Sequence, residues 1–471
     1  QLISYKVTYF FIFFCNNFAV EIKKEKVSMK IIRFIPAALV AAAITTGCST
    51  GKNSEAVRNA ELADRILSDT TMARVDSMAR EALKGSFNAG SGYSQVWARD
   101  LNTFVETACE VNNPADIREA LMIFLRLQQP NGEIVDSYVV NEDFNWGDDQ
   151  VFRSPYDDKH VGFKNTVETD QETSWIQALC KYVDKTGDTA VFNDTVAGKT
   201  VNAHIDDMIS YLMRERFNED YGLLYGAFTA DWGDVQPDST NVVDFTENST
   251  RTIDAYDNAM LIIALDRLAK SNPSMPGIDK YKELRDSIAV RTRRHLWDEA
   301  NQKIVPHIHI DPSPLPADFD ESKMHYHGGT AIAIEAGLLK PEEIATVNKQ
   351  MLENVKLSGM PSIGLTIYPT YPEGFFTGGM ATPYVYQNGG DWTWFGGRMI
   401  QQLVANGFVE EAYNEIQPML ERVVKNNGFY EWYGQGGVPS GSGKFKGSAG
   451  VLTVAIKMLR DWAEANKSDK K

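Results

Sequence analysis

The chain has 471 residues, of which 43% are hydrophobic and 23% charged, with a formal net charge of −16. That composition is globular and supplies enough apolar residues for a large core. The acidic balance serves solubility first; with no Lys/Arg cluster in the folded part, it argues against nucleic acid or anionic lipid as partner and fits a neutral substrate better than a polyanion.

Residues 1–28 are rich in Phe, Tyr and Lys and begin with Gln. They are expected to be a spurious extension translated from upstream of a start at Met29. Residues 29–48 have the order of a bacterial lipoprotein signal: a basic start ending at Arg33, an apolar stretch from Phe34 to Ile44, then Thr45-Thr46-Gly47-Cys48. Cys48 is the expected lipidation site, and 49–59 a polar tether. The apolar run is too short for a transmembrane helix, which needs about 20 residues. The expected place is the cell envelope, periplasmic or outer-surface. Cys109 and Cys180 remain beyond the signal, each in an apolar helical pattern, and are expected to be buried free thiols; no CxxC or zinc-ligand spacing is present.

From about residue 60 onward, apolar residues recur three and four apart. Helices are predicted over 115–127, 173–183, 203–213, 256–268, 281–296, 329–337, 398–405, 410–424 and 448–463. Strand-like alternation is scarce, with 303–310 the best candidate. Between the helices lie long segments rich in Gly, Trp, Tyr, Asp and Pro, at 131–165, 221–251, 360–391 and 426–447. Loops of such length are usually functional. No low-complexity linker interrupts the helical part, so 60–465 reads as one domain. Helical hairpins closed into a ring would gather equivalent loops at one end, around a pocket.

Four segments have the chemistry for such a pocket. In Trp97-Ala98-Arg99-Asp100, opening a helix, a donor fork and a carboxylate can grip adjacent sugar hydroxyls beside a stacking ring; alone, the motif reads better as a helix start with an acid at the positive dipole end. In Asp231-Trp232-Gly233-Asp234, two acids flank a Trp, as a general acid in a partly apolar site requires; a solvated acidic turn has the same residues, and the spacing of a calcium loop is absent. Pro383 to Trp394 combines Gln387, Asn388, paired glycines, Trp392 and Trp394, and reads as a pocket wall or a packed aromatic corner. In Phe429-Tyr430-Glu431-Trp432-Tyr433, a carboxylate among aromatics is costly to bury without a task and suits a base. His307/His309 and His325/His327 lack the i, i+4 spacing of helical zinc sites and have no evident third ligand, so they are expected to be structural or sugar-contacting.

Together and in this order, these motifs resemble the six-hairpin (α/α)6 toroid glycosidases. That broad group includes glucoamylase, trehalase, processing α-glucosidase, plant neutral invertase, the amylo-1,6-glucosidase part of debranching enzyme and cellobiose phosphorylase. The resemblance implies an all-α (α/α)6 fold and an exo-acting, inverting glycosidase that removes a terminal, glucose-like sugar. It implies Asp234 as general acid, with Asp231 in reserve, and Glu431 as general base. It makes Trp97, Arg99, Asp100, Trp232, Gln387, Asn388, Trp392 and Trp394 substrate-binding residues. No metal or organic cofactor is implied, and the expected partner is an oligosaccharide or glycan. The chain departs from the pattern at Lys446-Gly447, where a Trp-Ser pair is usual, and its acid and base motifs match different branches. The alternatives are a carbohydrate phosphorylase of the same fold and a non-catalytic glycan-binding lipoprotein.

Overall fold

The computed structural model of the chain describes residues 55–144 and 151–468. The expected signal at 29–48, Cys48 and the start of the tether lie outside the described residues. Residues 55–68 form a helix, α1, so the last part of the expected tether is helical. Val57–Lys471 forms one compact unit.

After α1, twelve helices alternate between two layers among the described residues. The inner layer is α3 (Ala98–Val111), α5 (Gln171–Thr186), α7 (Ala255–Ser271), α9 (His327–Glu335), α11 (Thr393–Ala405) and α13 (Lys446–Asn466). Each packs on the next, and α13 packs back on α3, which closes the ring. The outer layer is α2 (Thr70–Ala82), α4 (Pro114–Arg126), α6 (Val201–Glu215), α8 (Ile278–Leu296), α10 (Pro341–Ser358) and α12 (Val409–Asn426). The result is an (α/α)6 toroid.

Residue patterning decides the layer. Outer α8 buries one stripe, with Tyr281, Ile288, Thr292 and Leu296 inward and charges elsewhere. Inner α5 is enclosed nearly all round and buries Gln171, Glu172, Ser174 and Gln177 beside Trp175, Ile176 and Leu179. Such polar burial is tolerable only with partners. Trp175 Nε1 donates to the Leu121 carbonyl, and Gln177 Nε2 to that of Met260.

The predicted helices are present with shifted ends, and α2, α3 and α10 add to them. The segment 303–310 is not one strand. Lys303–Ile304 pairs with Trp297–Asp298, and Ile308–His309 with Thr252–Ile253. The 131–165 segment is not a bare loop either. Ser137–Val140, Asp157–Phe163 and Val151–Ser154 join Val96–Trp97 in a four-stranded sheet. Cys109 and Cys180 are free thiols, Cys180 buried and Cys109 half-buried. Among the described residues no helix is long and apolar enough to cross a membrane.

Ring closure depends on a close approach of α13 to α3. A Cβ on Gly450 would stand 2.4 Å from Phe104 Cβ and 2.6 Å from the Thr103 carbonyl oxygen, so α13 would have to move. Overpacking of this kind costs about 1–3 kcal/mol. Gly450→Val is expected to lower the denaturant midpoint clearly, whereas an unchanged midpoint would mean that this seam is loose.

Candidate active site

The N-termini of the inner helices converge at one end of the ring. Arg99 in the first turn of α3 bonds Asp170 at the start of α5, and Tyr256 in the first turn of α7 donates to the same Asp170 carboxylate at 2.6 Å. Helix N-termini bring positive potential to this end, and the chain places carboxylates there. The cavity they surround measures about 720 Å3, within the range of roughly 300–1,000 Å3 usual for small-ligand clefts.

Trp97, Arg99, Asp100, Trp232, Asp234, Trp392, Trp394 and Glu431 all line this cavity. Trp232 sits edge-on to Trp392 at 4.8 Å and tilted on Trp394 at 5.2 Å, so one wall is continuous aromatic surface. Tyr93, Asp136, Phe163, Asn165, Glu168 and Tyr386 complete it. None of these six is among the site residues expected from sequence; Tyr386 lies in the Pro383–Trp394 segment, and Asp136, Phe163 and Asn165 lie in the long 131–165 connection.

The floor is organised by Arg99. Its Nε and Nη2 hold Asp170 bidentately at 2.7 and 2.9 Å. Its Nη2 also meets Glu168 at 2.9 Å, and its Nη1 meets Asp234 at 2.7 Å. These contacts leave one guanidinium N–H for a ligand.

Asp234 is held from three sides. Oδ1 accepts from Arg99, and Oδ2 accepts from the Tyr386 hydroxyl at 2.8 Å and from Gln387 Nε2 at 2.7 Å. The Gln387 carbonyl also accepts from the Asp234 backbone N–H at 3.0 Å. Gln387 thus touches the acid loop and does not itself line the cavity. Burial pushes the Asp234 carboxyl up, but the charge of Arg99 and hydrogen bonds from Glu168, Arg99 and Tyr386 outweigh it and hold the group below the ordinary carboxylate range. The neighbours go the other way. Burial drives Glu168 and Asp136 well above that range, against the pull of Arg99. Glu168 hydrogen-bonds to Asp234, so the pair shares a proton where the two carboxyl groups meet.

Glu431 is buried, and its carboxylate accepts from the Tyr93 hydroxyl at 3.1 and 2.9 Å and from the Ser442 N–H at 3.1 Å. Burial raises its pKa, with the charge of Asp234 adding, against those hydrogen bonds. Gly441 takes φ +70°, and a Cβ there would stand 2.5 Å from Glu431 Oε2, so the carboxylate occupies space that only glycine leaves.

Asp231 and Asn388 lie outside the cavity. Asp231, at φ 60°, accepts the Gly329 N–H at 2.7 Å at the start of α9. There it anchors the loop that carries Trp232 and Asp234. Asn388 is fully buried; it accepts from the Tyr371 N–H at 2.9 Å and donates to the Met380 carbonyl at 3.1 Å.

Three buried polar atoms on the cavity residues have no partner: Trp97 Nε1, Trp232 Nε1 and Asp136 Oδ2. Unmatched buried groups are costly, and all three belong to residues on the cavity wall. Asp136 reaches the cavity through the sheet, where its carbonyl accepts from the Ala98 N–H at 2.9 Å.

Asp100 carries a stability cost of the site. Burial pushes its carboxyl up to about 7, against the pull of Arg99 and with Glu431 and Asp234 adding. The unfolded chain ionises this group near pH ~4, so the folded state loses relative stability as pH rises from about 4 to about 7. Asp100→Asn removes that loss. Its melting temperature, relative to the unmodified protein, is expected to gain more at pH 8 than at pH 5, and an equal difference at both would contradict the assigned ionisation.

No family model matches the chain, and no curated protein sequence matches it. Solved structures do. A GH63 mannosylglycerate hydrolase from Thermus thermophilus, in complex with glucose, is 13% identical with a TM-score of 0.59, covering 81% of this chain and 99% of its own. A rhamnosidase from Klebsiella oxytoca with rhamnose bound is 13% identical with a TM-score of 0.51, covering 82% of this chain and 63% of its own. A protein described as a wild-type glycosidase is 13% identical with a TM-score of 0.52, covering 83% of this chain and 98% of its own. The likeness is one of fold: this chain has the (α/α)6 toroid of six-hairpin glycoside hydrolases.

Proposed function

We propose that the chain is a glycoside hydrolase that removes a terminal sugar with inversion, Asp234 acting as acid and Glu431 as base. The observation that carries this is the presence, on one aromatic-walled cavity, of two carboxyl groups in opposite electrostatic settings. Among the described residues no cation pairs with Glu431, and its raised pKa makes it the stronger base toward water. Asp234 contacts a protonated neighbour. The O–H bond of Glu168 breaks and its proton passes to the ionised Asp234, which then delivers it to the leaving oxygen and returns to the carboxylate. The glycosidic C–O bond breaks as water, losing a proton to Glu431, bonds to the anomeric carbon from the opposite face.

Trp97, Trp232, Trp392 and Trp394 would pack on the sugar faces. Asp100 would take its hydroxyls, and Arg99 would use its one remaining N–H. A neutral substrate suits this site. Among the described residues the cation lining the cavity is Arg99, already paired with three carboxylates. That argues against phosphate as nucleophile, and against an anionic leaving group such as the glycerate in the substrate for which the Thermus enzyme is named. Retention of both carboxyl groups in the cavity argues against a pocket that only binds glycans. Lipid anchoring through Cys48 belongs to the same proposal and rests on the order of residues 29–48.

A screen of aryl glycosides and disaccharides, with and without phosphate, identifies the substrate; strict dependence on phosphate would refute hydrolysis. Asp234→Asn is expected to lose about 10²–10⁴-fold on natural substrates, the usual span of general acid catalysis. It should lose far less on glycosyl fluorides, which need no protonation. Glu431→Gln should lose activity on both. If Asp231→Asn shows the acid pattern instead, the assignment of Asp234 is wrong. Glu168→Gln withdraws the stored proton and leaves Asp234 to supply one from its depressed pKa. Its pH optimum is therefore expected to shift to lower pH, and an unmoved profile would remove Glu168 from the proton path.

A further inference from the structure

Three side chains converge behind the acid loop, away from the cavity. His307 and His309 lie two residues apart on an extended segment, which places both rings on one face, with centroids 5.7 Å apart. Glu321 opens a short 3-10 turn, Glu321–Lys323, and reaches both rings. Its Oε1 is 2.7 Å from His307 Nδ1, and its Oε2 is 2.6 Å from His309 Nε2. One ligand atom from each of the three lies within 4.8 Å of the others. The sequence shows the His-x-His pair but not its third member, because Glu321 is brought in by a turn.

His307 is oriented from behind. Tyr326 donates its hydroxyl proton to the Thr229 carbonyl at 3.2 Å, and its oxygen stands 3.3 Å from His307 Nε2. The same oxygen stands 3.3 Å from His307 Nδ1. A polar partner behind the ring is the usual support of a metal-bound imidazole.

We propose that His307, His309 and Glu321 bind one Zn2+ ion, with solvent as fourth ligand. Two imidazoles and a carboxylate match the nitrogen and oxygen preference of zinc, whereas calcium wants six to eight oxygens. The His307 side chain is wholly buried, while those of His309 and Glu321 are 20% and 15% exposed, which leaves one side open to solvent. The site is structural, because none of the three residues lines the catalytic cavity. Its reach to the acid loop runs through Phe228, whose ring lies 4.4 Å from His307 and 5.6 Å from His309, just before the run Thr229 to Asp234.

The test uses the full chain, stripped with chelator and then dialysed to equilibrium against Zn2+. Metal analysis is expected to give one Zn2+ per chain, with a higher melting temperature than the stripped protein. Co2+ in its place should give the visible absorption of a four-coordinate site. Glu321→Gln keeps hydrogen-bonding groups near both rings but is a poor ligand. It should fold, by circular dichroism, and lose the ion and the cobalt spectrum; His309→Ala should do the same. Absence of bound Zn2+ in the unmodified protein would overturn the proposal, as would equal Zn2+ retention by Glu321→Gln.

Discussion

The cluster of carboxylates around the Arg99 guanidinium is the interaction on which the rest of the site depends. One cation, from the first turn of α3, holds Asp170 at the start of α5, Glu168 just before it and Asp234 on the acid loop. Tyr256 ties α7 to the same Asp170. Three inner helices and the loop are thus registered by one side chain. Removing one partner of such a buried network costs about 3–5 kcal/mol, because the others are left as unpaired charges. A planar fork with five donors can bind three carboxylates at once, which a lysine ammonium cannot do with the same directionality.

That arrangement sets the ionisation of the site. A single cation cannot keep every nearby carboxylate charged, so the group with the most donors, Asp234, is ionised at the expense of Glu168, Asp136 and Asp100. Environments that push neighbouring carboxyl groups apart in pKa are how acid and base roles are divided. In the proposed reaction the division separates the storage of the proton on Glu168 from its delivery by Asp234. Glu431, on the same cavity and with no cation paired to it among the described residues, keeps its basicity through burial. The N-termini of the inner helices add positive potential at the same end, which makes so many acids tolerable there.

Much of this was legible before any coordinates. The helical periodicity and the aromatic-rich connections pointed to a ring of hairpins with its site at one end. Trp97, Arg99 and Asp100 alone read as an ordinary helix start, and only the set of motifs in order, through its resemblance to the toroid glycosidases, marks them for the pocket. Glu431 stood out as a carboxylate among rings. Glu168 and Asp170 did not, because acids before a helix ordinarily serve its dipole, and their task appears only when Arg99 reaches them from another hairpin. Asp136 depends on non-local strand pairing, which no local pattern carries. Gln387 and Asn388 are adjacent in sequence, yet one touches Asp234 and the other is committed to the Tyr371 and Met380 backbone. Spacing alone does not distinguish them.

The central claim is that water, activated by Glu431, attacks from the face opposite the oxygen protonated through Asp234. The most direct test is the anomeric configuration of the first-formed sugar, followed by proton NMR in the first minutes of hydrolysis, before mutarotation. Attack by water from the opposite face gives the anomer opposite to that of the substrate. Formation of the same anomer would require a covalent or double-displacement route and would contradict the assignment of Glu431 as the base.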